Sequence, residues 1–240
     1  MAIYLISDLH LDESTPKLSR LFTVFLQNHI FDADALYILG DFFEVWMGDD
    51  VTSAFHEDIK NQLKALTHKI PVFFLHGNRD FLVDKQFANS TGVKLINEPF
   101  VVDIYGEKHL LLHGDSLCSK DYLHQWFRKV SRARLVKKLF LSLPIKTRKN
   151  IALTIREKSK RRGQSLDNAI MDVDFKLLPT LLQKYQASTM IYGHTHRPSI
   201  LLQQQTLNAW FKFYVLSDWG ECANYLVCYE DGRKELRYFK

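Results

Sequence analysis

Cysteine is scarce in this 240-residue chain: Cys118, Cys222 and Cys228 are an odd number with no C-x-x-C pair. That argues against a disulfide framework and against a cysteine-built structural zinc site, and it fits a reducing cytosol. No run of about 18 apolar residues occurs, so no membrane-spanning helix is expected. The chain enters an apolar strand at once, without a charged leader, which argues against secretion. Internal repeats and low-complexity tracts are also missing. With 46% apolar and 13% aromatic residues, a disordered chain is excluded and a sizeable core is available.

Acid is scarce in one place. Between Arg128 and Arg162 there are fourteen Lys or Arg against the single acid Glu157, a net of +13 that leaves −8 for the rest of a chain whose total is +5. Such a segment usually faces water or an anionic partner, and phosphate, nucleic acid and anionic lipid headgroups are all open candidates.

Short apolar runs do recur, at Ile3 to Ser7, Ala35 to Leu39, Val72 to His76, Leu110 to His113 and Met190 to Tyr192. Amphipathic stretches at Leu18 to His29 and Phe55 to Leu66 separate the first three, at a spacing that suits strand-helix-strand crossovers. The layout is α/β. Phe100 to Ile104 with His109 to His113, and Ile200 to Leu202 with Phe213 to Leu216, are predicted hairpins. From Lys120 to about Lys184 the pattern turns helical, with Leu123, Trp126, Val130, Ala133, Val136, Phe140 and Leu143 at steps of three or four until Pro144 breaks the run. Because the strand pattern resumes only near Thr189, residues 120–184 are expected to form a helical cap inserted within a single 1–240 domain.

The main strands end alike: Ser7-Asp8-Leu9-His10, Gly40-Asp41, Gly77-Asn78-Arg79-Asp80, His113-Gly114-Asp115 and Gly193-His194-Thr195-His196. Ligands of α/β sheets bind beyond the carboxyl ends of strands, so these loops are expected to meet at one crevice. Two Asp, one Asn and four His form a mixed oxygen and nitrogen set suited to Mn²⁺, Fe²⁺ or Zn²⁺ and too rich in imidazole for Mg²⁺ or Ca²⁺. Seven ligands exceed the need of one ion. A bridging carboxylate would let two ions sit about 3.5–4 Å apart and act together on a phosphoryl group.

This ordered series resembles the calcineurin-like metallophosphoesterase superfamily, from Ile3 to about Trp219. The resemblance implies a double β-sandwich flanked by helices rather than a plain open sheet. One departure is informative: Arg79 stands where that superfamily usually has His. Longer matches, among them Gly77-Asn78-Arg79-Asp80-Phe81-Leu82, Ala169-Ile170-Met171-Asp172-Val173 and Gly193-His194-Thr195-His196-Arg197-Pro198, resemble its pyrophosphohydrolase branch that acts on a lipid-linked nucleotide sugar in lipid A biosynthesis.

That resemblance implies two Mn²⁺ per chain, one held by Asp8, His10, Asp41 and His196, the other by Asp41, Asn78, His113 and His194, with Asp41 shared. It implies attack of an activated water on the α-phosphorus at the cytoplasmic face of a Gram-negative inner membrane, by a peripheral protein with no nucleic-acid partner; a monomer is expected. Asp41, Asn78, Arg79 and His113 are the expected catalytic residues, with Arg79 clamping a phosphate oxygen unless it pairs with Asp80 or Asp84. Asn78, Arg79, Asp121, Arg156, Ser159 and His194 are the expected substrate contacts. Two further contact positions of the branch, often Asn and Lys, align with Gly163 and Leu166 here. Asp80 and Asp115 are expected to orient ligand histidines, and Trp126, Phe127, Leu139 and Phe140 to line a channel for acyl chains. Two rival readings remain: a nuclease or broad phosphodiesterase whose basic cap binds nucleic acid, and an inactive scaffold of the same fold.

Overall fold

All five residues of β1 (Ala2–Ile6) are buried because both faces of the strand are covered. Ala2, Tyr4 and Ile6 enter one apolar cluster, and Ile3 and Leu5 enter another on the opposite side, as the two-residue strand period requires. The computed structural model describes residues 1–165, 172–206 and 209–240; for residues 160 and 163–165 it describes the backbone alone.

The first sheet also holds β2 (Ala33–Ile38), β3 (Val72–Leu75), β4 (Lys94–Ile96), β10 (Ala223–Tyr229) and β11 (Lys234–Phe239), in the order β11-β10-β1-β2-β3-β4. β1 to β4 run parallel, while β10 returns antiparallel beside β1. The second sheet is built from β5 (Phe100–Ile104), β6 (Glu107–Leu111), β7 (Thr189–Tyr192), β8 (Ser199–Thr206) and β9 (Ala209–Val215), in the order β5-β6-β7-β9-β8. Both expected hairpins are present, β5 with β6 and β8 with β9.

The sheets face each other across Leu5, Tyr37, Leu39 and Leu75 on one side and Leu111, Ile191, Tyr214 and Leu216 on the other. The outer face of the first sheet is covered by α1 (Pro16–Asn28), α2 (Ala54–Thr67) and α3 (Lys85–Thr91), which bring Phe22, Phe25, Ile59, Leu63 and Phe87. Each start has a local cause: Pro16 fixes the first turn of α1, and the Ser53 and Asp84 side chains cap α2 and α3. The result is a double β-sandwich flanked by helices.

Between the sheets' strands the chain runs through α4 (Tyr122–Ser131), α5 (Arg134–Leu141) and α6 (Ile145–Ser165), with Pro144 separating the last two. Neither α4 nor α5 has a buried residue. The next helix among the described residues, α7 (Leu177–Tyr185), behaves differently: Leu178 and Leu182 are fully buried with Met190, Tyr192 and Phe213 on the outer face of the second sheet. So the final part of the 120–184 stretch packs as body of the sandwich, where apolar spacing alone read it as continuous with α4–α6. Among the described residues no helix is long and apolar enough to cross a membrane. Leu166 and the Ala169-Ile170-Met171 stretch lie outside the described residues, and of Gly163 only the backbone course is described.

Candidate metal centre and active site

The strand-end loops meet as the sequence pattern requires. Two groups form whose ligand atoms lie within 4.8 Å of one another: Asp8 with His10 and His196, and Asp41 with His113 and His194. Asn78 joins the second through Oδ1, 3.0 Å from His113 Nε2. The backbones are stitched together by bonds from Asp8 N–H to Gly40 carbonyl (3.1 Å), His10 N–H to Asp41 carbonyl (3.0 Å) and Gly193 N–H to His113 carbonyl (2.8 Å).

Two glycines permit this approach. A Cβ on Gly77 would stand 2.1 Å from Asp41 Oδ1, and one on Gly193 would stand 2.1 Å from Asp8 Oδ2. The candidate ligands carry strain: Asp8, His10, Asp41, His194 and His196 have φ of +56°, +52°, +49°, +67° and +55°, a left-handed backbone that non-glycine residues adopt rarely.

The donor chemistry fits divalent metal. Asp8 is buried, its Oδ2 accepts from Ser7 Oγ (2.6 Å) and His194 N–H (2.9 Å), and its Oδ1 has no hydrogen-bond partner. That oxygen lies 3.4 Å from His196 Nε2 and 4.0 Å from His10 Nε2. His10 Nε2 and His196 Nε2 approach to 3.3 Å, two imidazole nitrogens converging beside a carboxylate. His113 donates from Nδ1 to the Leu39 carbonyl (2.9 Å), which turns Nε2 toward Asn78 and Asp41.

Electrostatics agree. Burial alone would lower His113, yet the Asp41, Asp8, Asp115 and Glu98 carboxylates lift it to about 9, the mark of a spot that attracts positive charge. His194 is pushed down to about 4 by burial and then by His113. Burial and the adjacent Asp41 carboxylate raise Asp80 to about 6.

Several expectations need correction. Asp80 and Asp115 do not touch a ligand histidine. Asp80 instead ties two ligand loops by accepting from Gly77 N–H and Phe42 N–H, each at 2.8 Å. Asp115 Oδ2 accepts from Arg128 Nε (2.8 Å) and Arg132 Nη2 (3.0 Å). The His113 ring is oriented by a backbone carbonyl. Arg79 pairs with neither Asp80 nor Asp84: its Nη1 lies 2.5 Å from Glu44 Oε1 and its Nε 3.4 Å from Asp41 Oδ2. Of the apolar four on the cap, Phe140 packs onto the core of the first sheet, while Trp126, Phe127 and Leu139 are exposed.

A cleft runs from the ligands to the helices, lined by Asp41, Asn78, Arg79, His194 and His196 from the sandwich and by Asp121, His124, Ser159 and Arg162 from the helical side. Asp121 caps α4 by accepting from His124 N–H (3.0 Å) and pairs with Arg162 Nη2 (2.6 Å). Arg156 reaches Glu44. Glu44 and His124 were not singled out from sequence. His124 stacks on His194 with ring centroids 5.8 Å apart, and the only sequence signal for Glu44 is an acid held in an apolar setting, Phe42-Phe43-Glu44.

Residues 1–198 match the family described as calcineurin-like phosphoesterase. A UDP-2,3-diacylglucosamine hydrolase of Actinobacillus succinogenes is 44% identical over 224 residues, 93% of this chain and 94% of that protein. One from Coxiella burnetii is 42% identical over 236 residues, 98% and 96% of the two chains. A solved archaeal phosphodiesterase superposes with a TM-score of 0.51 at 12% identity, covering 100% of both chains, and that likeness concerns the fold alone.

Proposed function

This chain belongs to the calcineurin-like phosphoesterase family, and we propose that it hydrolyses the diphosphate of UDP-2,3-diacylglucosamine to UMP and 2,3-diacylglucosamine 1-phosphate, a step of lipid A biosynthesis. One observation carries the reading: the two ligand groups of the sandwich open into the same cleft as Asp121, Ser159 and Arg162 of the helical segment. A metal centre and a recognition surface from an inserted segment share one space, and relatives matched over nearly their whole length bear that activity's name.

In this reading Asp8, His10, Asp41 and His196 hold one Mn²⁺, and Asp41, Asn78, His113 and His194 hold a second, Asp41 being shared. A bound pair of divalent ions supplies charge stabilisation at the phosphoryl oxygens and acidifies a water. The chain's own residues do the rest. Leu39 and Asp80 hold the His113 ring and the Asp41 and Asn78 loops in place. Arg79, already beside Asp41, presents a guanidinium to a phosphate oxygen, and Asn78 and His194 border the same spot. Asp121, Ser159 and Arg156 contact the nucleotide sugar. Water attacks the α-phosphorus, its oxygen stays in UMP, and the sugar 1-phosphate leaves.

The acyl chains meet the exposed apolar side of α4 and α5, where Tyr122, Leu123, Trp126, Leu135 and Leu139 are all more than half exposed. With nearby Lys129, Arg134 and Lys138 this surface suits peripheral contact with the inner membrane by a monomer. The test is Mn²⁺-dependent release of UMP from the diacylated nucleotide sugar in ¹⁸O water, with label recovered in UMP. Label in the sugar phosphate would overturn α-attack. Equal turnover of DNA or of an aryl phosphodiester would favour a broad phosphodiesterase, and an inert, metal-free protein would favour a scaffold.

A further inference from the structure

We propose that Glu44 is a positioning residue that holds the metal ligand His10, the guanidinium of Arg79 and the cap residue Arg156 in one arrangement; this rests on the reading of His10 as a ligand and of both arginines as substrate contacts. Glu44 lies three residues beyond Asp41 in a loop fixed by a bridge between Leu11 and Phe43 and by its own N–H donating to the Leu11 carbonyl at 3.0 Å. It is 9% exposed. A carboxylate so placed is costly unless it is paired, and here one carboxyl group faces three partners from distant parts of the chain. Its Oε1 takes Arg79 Nη1 at 2.5 Å and also Arg156, while Oε2 lies 3.1 Å from His10 Nδ1, which has no aligned hydrogen-bond partner.

Each contact has a consequence. A carboxylate on the Nδ1 side favours the tautomer that leaves the Nε2 lone pair of His10 facing Asp8 and His196, and it raises the ring's basicity toward a cation. On the Arg79 side it fixes a guanidinium that would otherwise swing on a long stem. Through Arg156 the same oxygen ties α6 to the sandwich beside Arg79, which lines the cleft, so ligand geometry and cap position share one group.

The test strips the protein of metal and titrates Mn²⁺ by electron paramagnetic resonance, which needs no nucleotide sugar, alongside thermal melts and steady-state kinetics. Glu44→Gln keeps the volume and removes the charge. We expect Mn²⁺ affinity to fall about 10–100-fold, and kcat to fall with it. The effect of Arg156→Gln on kcat should be largely lost in the Glu44→Gln background, because the two act as a unit. Glu44→Asp withdraws the charge by one methylene, should fall between wild type and Glu44→Gln, and decides the matter by the same titration if Glu44→Gln does not fold. Unchanged Mn²⁺ affinity in the folded variants, or a lowered melting temperature alone, overturns the proposal. Wild-type protein that binds Mn²⁺ through Glu44-dependent affinity yet leaves the diacylated substrate intact would overturn the substrate reading and spare this one.

Discussion

The sandwich and the helices from Tyr122 to Ser165 treat the same kinds of residue in opposite ways. The sheets turn their apolar side chains inward from both faces, and their strand ends concentrate buried acids and histidines. Helices α4 and α5 bury no residue fully and turn large apolar side chains outward. The positive charge of the whole segment, α6 included, is what the sandwich uses: Arg128 pairs with Glu98 and Asp115, Arg132 with Asp115, Arg148 with Asp50 and Arg156 with Glu44. The +13 segment and the −8 remainder are therefore partly each other's counterions. Attachment is largely by charge, with Phe140 adding an apolar contact to the core, which leaves the outward apolar side of the helices for something other than the protein core.

This division breaks first at Asp41. Asp41→Ala should lower turnover by more than the roughly 10²–10³-fold typical of deleting one transition-state contact, because it removes the ligand proposed to be shared; steady-state assay at saturating Mn²⁺ measures it. Next comes the attachment. Arg148 is 2% exposed and donates to the Met47 carbonyl at 2.7 Å as well as to Asp50. Arg148→Met should cost about 1–2 kcal/mol, discounted for the half-exposed Asp50, and should speed proteolysis within α6 before the sandwich is cut.

A third test concerns the body alone. His109 is pushed down to about 4 by burial; Glu107 is brought down to about 2, against burial, by donors on Lys234, Thr189 and Ser188. Both groups bind protons more readily unfolded, so stability should fall as pH drops from 6.5 toward 4 through His109 and from 4.5 toward 2 through Glu107. Melting curves across that range check it, and His109→Leu should flatten the upper limb. The smallest effect is on the outward face: Trp126→Ser should change stability by no more than about 0.5 kcal/mol while weakening retention on anionic vesicles.

The strand-end motifs were legible in sequence because each ligand follows an apolar run by one or two residues, a local signal. The hairpins, α1 and α2 were legible for the same reason, whereas the short α3 (Lys85–Thr91) was not. Pairings across the chain were not. Nothing in the spacing of Glu44 announces partners at positions 10, 79 and 156, and Asp115 sits beside His113 in sequence while its carboxylate turns to Arg128 and Arg132. The extent of the insertion blurred because α7 has the same three-to-four period as α4; only its burial on β7 and β9 assigns it to the body.

The left-handed backbone at Asp8, His10, Asp41, His194 and His196 sets heat tolerance against activity. Residues in such conformations cost of order 1–3 kcal/mol each, and glycine would relieve much of that. Populations selected for survival at high temperature alone should therefore drift toward glycine at these positions and lose turnover as they do; His10→Gly melting above His10→Ala is the simplest sign of that conflict.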